Sequence, residues 1–430
     1  MFQKLWEYRM MGHHQALAPL RRLPAQPMTL SAHLERTALS EEPRCLYVHV
    51  PFCSKICTFC NMRRSNCKPS AHYADLVVRQ IGQLGSVPAL RNGAYAAVYF
   101  GGGTPTTLSS TDLTAILSAL RDTFPLTRGC EITVESSLTE LTEGKLEALR
   151  VGGVNRLSLG VQTFSDAGRR RLGRRGDGAH ALARILKDGP RNANIDLIYN
   201  YPDQTPEDLS DDLAQILRLP LAGLSYYALH LSEGSALAKS LDQSGTDYAR
   251  STLEQEHEYW GRIYYTLVGA GFEPLELTKL VRPGRDEYRY IRIRNGGGDT
   301  LPLGAGAGGR LGRLSLQMPE DPAQYAALLD RPFESRYAGR LLDPAYEYLQ
   351  RQIGKLQLGY LDAEGEAPAS VDAAGAFEAL CAFAAENGLG AVQAGRLTLS
   401  PTGIFWGNNL AHRYAELLAA QALQSKEAVS

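Results

Sequence analysis

No apolar run in this sequence approaches the roughly 20 residues that a membrane-spanning helix needs. Its first residues, MFQKLWEYRMMGHHQ, hold no apolar stretch of the kind found in a secretory signal. A cytoplasmic protein with no membrane partner is the expectation. Excess charge of either sign is missing too. With 45 basic and 46 acidic residues the net charge is −1, which gives no electrostatic reason to expect nucleic acid as a partner. There are no internal repeats beyond a strand–helix rhythm and no long low-complexity segment. Cysteine is scarce: seven residues, an odd number, of which Cys45, Cys53, Cys57, Cys60 and Cys67 fall in one short stretch while Cys130 and Cys381 stand alone. A disulfide framework would spread its cysteines to staple distant loops, so this clustering points to metal or redox chemistry in a reducing compartment.

What is present is an ordinary globular composition, 44% hydrophobic and 21% charged, in a chain long enough for one large domain and a smaller one. Residues 1–42 read as an irregular N-terminal arm punctuated by Pro19, Pro24 and Pro27. From residue 43 to 318, strand-like runs (Cys45–Pro51, Ala97–Phe100, Glu131–Glu135, Arg156–Gly160, Asn194–Tyr199, Gly223–His230) alternate with amphipathic segments (Ser110–Phe124, Glu143–Val151, Gly178–Lys187, Pro206–Leu217). That alternation predicts an α/β fold with parallel strands and outer helices, a partial TIM-like (β/α) barrel; an open doubly wound sheet is the alternative. The barrel is preferred because the polar signals described below sit at strand C-termini, where barrel enzymes place their chemistry. Residues 319–430 are mainly helical, with Gly388–Thr402 resembling the hairpin of a winged-helix module.

The segment Tyr47–Cys60, YVHVPFCSKICTFC, has the spacing C-x3-C-x2-C. Three thiolates on one loop can hold three corners of a [4Fe–4S] cubane, leaving one iron open for a chelating ligand. Zinc is the alternative, with Cys67, Cys45 or His49 as a fourth ligand, but zinc sites pair their cysteines with a second, distant pair. The segment Tyr99–Thr106, YFGGGTPT, puts three glycines directly after a strand, where backbone can approach a ligand without a Cβ in the way. Its bland reading is a generic turn.

The cysteine spacing and the lead-in YVHVPFC resemble the radical S-adenosylmethionine (SAM) superfamily, and within it the coproporphyrinogen-dehydrogenase-like branch. The resemblance implies that Cys53, Cys57 and Cys60 hold the cluster, that Tyr47 packs against SAM and that Phe59 lies beside its adenine. Gly102, Gly103 and Thr104 match the segment that holds the methionyl amine. Glu135 (in EITVESSL), Gln162 (in NRLSLGVQTF) and Arg174 match further SAM contacts. Asp196 (in DLIYNYPDQT) matches a residue near the ribose or a second SAM. The strand Ser225–Leu231 is expected to add a contact through Ala228, and Gly304–Ala307 matches a late SAM-lining segment. A strand-end acid is otherwise an N-cap or surface charge, and Arg169, Arg170, Arg171 and Arg175 read as a solvated helical face.

Within the branch, Met62 stands where the porphyrinogen decarboxylases carry a further cysteine, and Phe59 and Arg310 differ from the haem-chaperone pattern. Pro302–Gly309 (PLGAGAGG) and Thr402–Leu410 (TGIFWGNNL) resemble the haem-utilisation group, the anaerobic haem-degrading methyltransferases called anaerobilin synthases. That resemblance implies two SAM molecules, one the source of a 5′-deoxyadenosyl radical and one a methyl donor. It also implies haem as substrate and an electron donor such as flavodoxin or ferredoxin. An oxidative decarboxylase of coproporphyrinogen and a non-catalytic haem chaperone are the competing readings. Candidate haem contacts are an aromatic lid at Phe405–Trp406, the arginines of Arg282–Arg294 interleaved with Tyr288 and Tyr290, and His13 and His14. Arginine suits the propionates through bidentate pairing.

Overall fold

The computed structural model describes residues 8–60, 69, 72–174, 176–232, 234–244, 253–363 and 365–427. Met62, Cys67 and Arg175 lie outside these residues. The strands are β1 (Ala25–Thr29), β2 (Arg44–Val50), β3 (Tyr95–Gly102), β4 (Leu126–Ser137), β5 (Arg156–Gln162), β6 (Asn192–Tyr199), β7 (Gly223–Ala228), β8 (Glu273–Glu276), β9 (Lys279–Val281), β10 (Thr300–Leu303), β11 (Gly308–Leu311), β12 (Leu314–Gln317), β13 (Ala338–Leu342), β14 (Tyr360–Asp362), β15 (Gly390–Gln393) and β16 (Arg396–Leu399). Thirteen of them form one sheet in the order β1-β13-β12-β11-β10-β2-β3-β4-β5-β6-β7-β9-β8.

The run from β10 through β2 to β7 is parallel. β10, late in the chain, returns beside β2 as it would in a barrel. Antiparallel strands extend both edges, and among the described residues no pairing closes the ring. This is the partial barrel expected from the strand–helix alternation. Outer helices cover the sheet, among them Ser110–Thr123, Glu143–Val151, Gly178–Asp188 and Pro206–Arg218. Two of these start in capping boxes. Ser109 Oγ accepts from Asp112 N–H (3.0 Å) while Asp112 accepts from Ser109 N–H (3.2 Å), and Thr205 and Asp208 repeat the exchange.

Period-two alternation decides which side chains face inward. In β2, Leu46, Val48 and Val50 are buried against the helical layer, leaving Tyr47 and His49 on the inner face. The same alternation brings Tyr99, Glu131, Glu135, Arg156, Ser158, Asp196 and Ser225 inward. The outer face is therefore aliphatic and the inner face polar, as a site rather than a packed core requires.

The sheet crosses both expected domain boundaries. β1, from the expected arm, pairs with β13, from beyond residue 318. The described part of the arm, from residue 8, is not irregular: it holds helix His13–Ala16, β1 and helix Leu30–Arg36. Arg9 donates to the Phe405 carbonyl (2.8 Å) and pairs with Glu256, and Met10 N–H donates to Asn409 Oδ1 (2.8 Å). Local periodicity missed this segment because its order comes from long-range partners. The C-terminal region has helices Pro344–Gln357, Ala373–Glu386 and Gly407–Glu427 and a small sheet, β14-β16-β15. The expected hairpin is there, turning through Ala394 (φ 50°) and Gly395 (φ 74°).

Candidate active site

The chain leaves β2 at Val50 and runs directly into the cysteine loop. The glycine segment after β3 is clamped to that loop: Gly103 N–H donates to the Val50 carbonyl (2.8 Å) and Thr104 N–H to the Phe52 carbonyl (2.7 Å). A Cβ on Gly103 would sit 2.4 Å from the Phe52 oxygen, and one on Gly102 (φ 107°) 2.5 Å from the His49 ring, so both positions exclude side chains. Cys53 Sγ lies 3.6 Å from Thr104 Oγ1. Cys60 N–H donates to the Cys57 carbonyl (3.2 Å), which tightens the C-x2-C turn. On the far side, Thr58 bonds Arg171 and Leu237, and Phe59 packs on a cluster including Leu172, Ile198 and Tyr201.

These elements border a cavity of about 440 Å³. It gathers Cys53, Cys57, Cys60, Phe59, Gly102, Gly103, Thr104, Glu135, Gln162, Arg174 and Asp196, which were identified from segments spread over some 140 residues. Gln162 ends β5 after a break in register and holds φ 74°, a left-handed conformation rare outside glycine. A Cβ on Gly160 would come within 2.9 Å of both Arg174 Nη2 and Gln162 Nε2; glycine there lets the two groups converge. Arg174 Nε is buried with no hydrogen-bond partner among the described residues. Burial pushes the Glu135 carboxyl up to about 7, although Tyr99 O–H donates to it at 2.6 Å and the Gly102 N–H also bonds it. Burial likewise raises Asp196, against the pull of Lys279, Arg156 and Arg174.

Two expected SAM contacts lie elsewhere. Tyr47 is on the neighbouring part of the inner face, where its O–H meets His49 Nδ1 at 2.9 Å. Ala228 is corrected: Asp196 pairs with Ser225 in the β6–β7 register, so Ser225 and Tyr227 share the inner face, whereas Ala228 points into the hydrophobic core behind the sheet. Sequence alone left that register open. Arg169 is corrected as well. It is buried, not solvated, and donates to the Val161 (3.0 Å), Thr163 (3.3 Å) and Gly176 (3.1 Å) carbonyls. Ser158 and Gly160 also line the cavity and had no distinguishing signal in the sequence.

The donor set fits a cluster and a zwitterionic, cationic ligand. None of the three cysteines is in a disulfide. A cubane presents its irons at separate corners, which thiols spread along one loop suit. Arg174 Nε, buried and without a hydrogen-bond partner among the described residues, can meet an acceptor on a ligand, and the glycines keep the wall beside the cysteine loop free of side chains.

Glu135 also borders a second chamber of about 970 Å³ on the inner face. Its wall is aromatic. Tyr99 stacks on Tyr290 (centroids 4.5 Å apart), and Tyr47 lies 6.3 Å from Tyr99 and 6.1 Å from Tyr290. Tyr227 reaches it from β7 and Tyr288 from the loop after β9. Of the five arginines in Arg282–Arg294 only Arg294 faces it. Arg282 lies over the Phe272 ring, Arg285 bonds the Arg191 carbonyl, and Arg289 and Arg292 bond Glu287. Phe405 and Trp406 do not form a lid: Phe405 is buried beside His257 and Trp260, Trp406 is buried against Phe405, and it is Asn408 that borders the chamber. His13 and His14 do face it. Beneath, Arg156 and Asp286 form a buried bidentate pair (2.9 Å, 2.9 Å), with Lys279 3.5 Å from Asp286.

The radical SAM superfamily signature matches residues 47–216. Over 281 residues the chain is 32% identical to anaerobilin synthase of Escherichia coli O157:H7, covering 64% of this chain and 63% of that protein, so the match leaves over a third of the relative unspanned. It is 30% identical over 329 residues to the haem chaperone HemW of Escherichia coli K12, covering 73% and 83%. The solved structure of coproporphyrinogen III oxidase (HemN) from Escherichia coli superposes with a TM-score of 0.74 at 23% identity, covering 91% of this chain and 94% of that one. The chain therefore belongs to the radical SAM superfamily, in the branch that contains these tetrapyrrole-handling proteins. A [4Fe–4S] cluster and SAM are the cofactors that membership entails.

Proposed function

We propose that this chain is an anaerobilin synthase-like radical SAM methyltransferase that methylates and opens the haem macrocycle without oxygen, releasing iron and using two SAM molecules. The observation that carries the reading is the pair of cavities meeting at Glu135: one with three thiols and a glycine cradle, the other large, walled by tyrosine and holding imidazoles and arginine. A volume near 970 Å³ lies at the upper end of small-molecule sites, and flat aromatic walls with a guanidinium suit a planar dicarboxylate.

In this reading Cys53, Cys57 and Cys60 hold the cluster, and Gly102, Gly103, Thr104, Glu135, Gln162, Arg174 and Asp196 orient SAM. When bound, the cluster and SAM supply a one-electron reductive cleavage of the SAM C5′–S bond, with the electron coming from a donor such as flavodoxin or ferredoxin. The protein's part is positional. Gly102 and Gly103 bring backbone against the ligand, Arg174 supplies a fixed cation for a carboxylate, and Glu135 accepts a cationic group while Tyr99 holds its other face. The tyrosine wall seats the substrate next to Glu135 and keeps water away from a reactive centre.

The test is incubation of the anaerobically reconstituted protein with reductant, SAM and haem, with products followed by mass spectrometry. A methylated linear tetrapyrrole with loss of iron is the expected result. Intact haem without 5′-deoxyadenosine would overturn it in favour of the chaperone reading, which the 30% identity to HemW supports. Vinyl formation on coproporphyrinogen would point to the decarboxylase.

A further inference from the structure

We propose that His13, carried by the N-terminal arm, is the axial ligand to the iron of a haem seated in the tyrosine-walled chamber, and that Arg294 turns from His13 to a haem propionate when the substrate enters. The proposal rests on the haem reading above and goes beyond it by naming the ligand.

Three histidines border the chamber: His13, His14 and His49. His49 is held in place. Its Nδ1 bonds Tyr47 O–H (2.9 Å), and its ring is wedged so closely that Cβ atoms on Gly102 and Gly306 would lie 2.5 and 3.3 Å from it. His14 stands at the exposed margin of the short helix His13–Ala16. His13 is the more enclosed of the pair, 3.9 Å ring to ring from His14. Its Nε2 lies 3.2 Å from Arg294 Nη2. A guanidinium is always a donor, so this contact makes Nε2 the acceptor nitrogen, with its lone pair presented to a group on the chamber wall. That lone pair is what a metal takes from a neutral imidazole.

Electrostatics point the same way. Burial first, then the charges of Arg294 and His14, hold His13 well below its ordinary pKa, so no proton has to leave before iron binds. Arg294 is the one arginine of its run that faces the chamber, and it stands beside the histidine. A propionate would draw its guanidinium into a charge-assisted pair, freeing Nε2 in the same movement. The arm is firmly placed for this role: Arg9 and Met10, just before His13, are tied to Glu256, the Phe405 carbonyl and Asn409. An iron ligand outside the sheet has a chemical use, because it keeps hold of the metal when the macrocycle opens.

The experiment uses the full cluster-loaded chain with ferrous haem and dithionite but no SAM, so that no turnover occurs. Resonance Raman spectra should show an iron–imidazole stretching band that shifts when the protein's histidines carry 15N. His13→Ala should abolish the band and weaken haem binding about tenfold, added imidazole should restore it, and His14→Ala should leave it in place. Arg294→Gln should weaken haem binding while keeping the band. A band that persists unchanged in His13→Ala, or that disappears in His14→Ala or His49→Ala instead, overturns the assignment while leaving the haem reading intact. If the unaltered protein binds no haem at all, the haem reading fails and this inference with it.

Discussion

On one side of Glu135 lie three thiols, a glycine cradle and a buried guanidinium. On the other lie six tyrosines, imidazoles and a chamber more than twice as large. The two cavities differ in how they are built as well as in chemistry. The first is made at the C-terminal ends of consecutive parallel strands, each contributing a short contiguous motif. The second draws on the arm, the middles of β2 and β3, the far edge at β7–β9 and the C-terminal helices. A site of contiguous loops on a rigid sheet depends on few, irreplaceable groups. A chamber assembled from remote segments shares its wall among many, so single changes there should alter substrate fit more than they destroy the site.

The largest effect that could break this contrast is expected from Cys57→Ala. Cluster iron, measured by chemical analysis, and SAM cleavage, measured as 5′-deoxyadenosine, should both vanish. Retained cleavage would remove the assignment of the first cavity. Next comes the ionic floor under the chamber. Arg156 and Asp286 are 1% and 0% exposed, and Asp286 is held well below the usual carboxylate range by Arg156 and Lys279 despite its burial. Asp286→Ala removes the nearest counter-charge from two buried cations and should cost about 3–5 kcal/mol in denaturant unfolding. A loss under 1 kcal/mol would mean that the floor is wetter than the packing implies.

Gly102→Ala comes third. It places a Cβ against His49 at φ 107°, a strain of about 1–3 kcal/mol, and should weaken SAM binding measured by equilibrium dialysis. The Glu135 carboxyl that divides the cavities supplies a pH test. Its folded pKa is raised from 4.5 to about 7, so the stability it contributes is complete below about pH 4.5 and is lost as pH rises through about 7. A cationic SAM needs the ionised form, so SAM affinity should increase from pH 6 to 8, and Glu135→Gln should flatten that slope. A flat profile in the unaltered protein would place the cation elsewhere. The smallest effect lies away from both cavities. Ala394 holds φ 50° in the β15–β16 turn, and Ala394→Asn, which tolerates that region, should raise stability by about 0.5–1 kcal/mol with SAM cleavage unchanged.

Much of the lining of the first cavity was legible as short motifs, because a strand end puts neighbouring residues in one place. Eleven of the thirteen single residues expected to contact cluster and SAM line it; Tyr47, Ala228 and the segment Gly304–Ala307 do not, and they show where legibility stopped. Ala228 failed on register: in a strand a shift of one residue reverses the face, and SYYALHL has no alternation to fix it. Tyr47 is inward-facing as β2 requires, but it stacks with Tyr99 and Tyr290 in the other chamber. Phe405 and Trp406 were candidates for a lid because aromatics often line flat ligands, yet the helices around Trp260 claimed them for the core. Of the arginine-rich run, composition suggested five cations and the structure turns only Arg294 inward.

By itself the sequence determined the β/α rhythm, the three-thiolate loop and the glycine cradle, since spacing, periodicity and the absence of a Cβ are local properties. Only the tertiary structure decided that the arm joins the main sheet through β1 and β13, that Ser225 rather than Ala228 accompanies Asp196, and that His13 meets Arg294 from 281 residues away. Those outcomes depend on long-range pairing and on the burial of charge, which emerge when distant segments exclude water together.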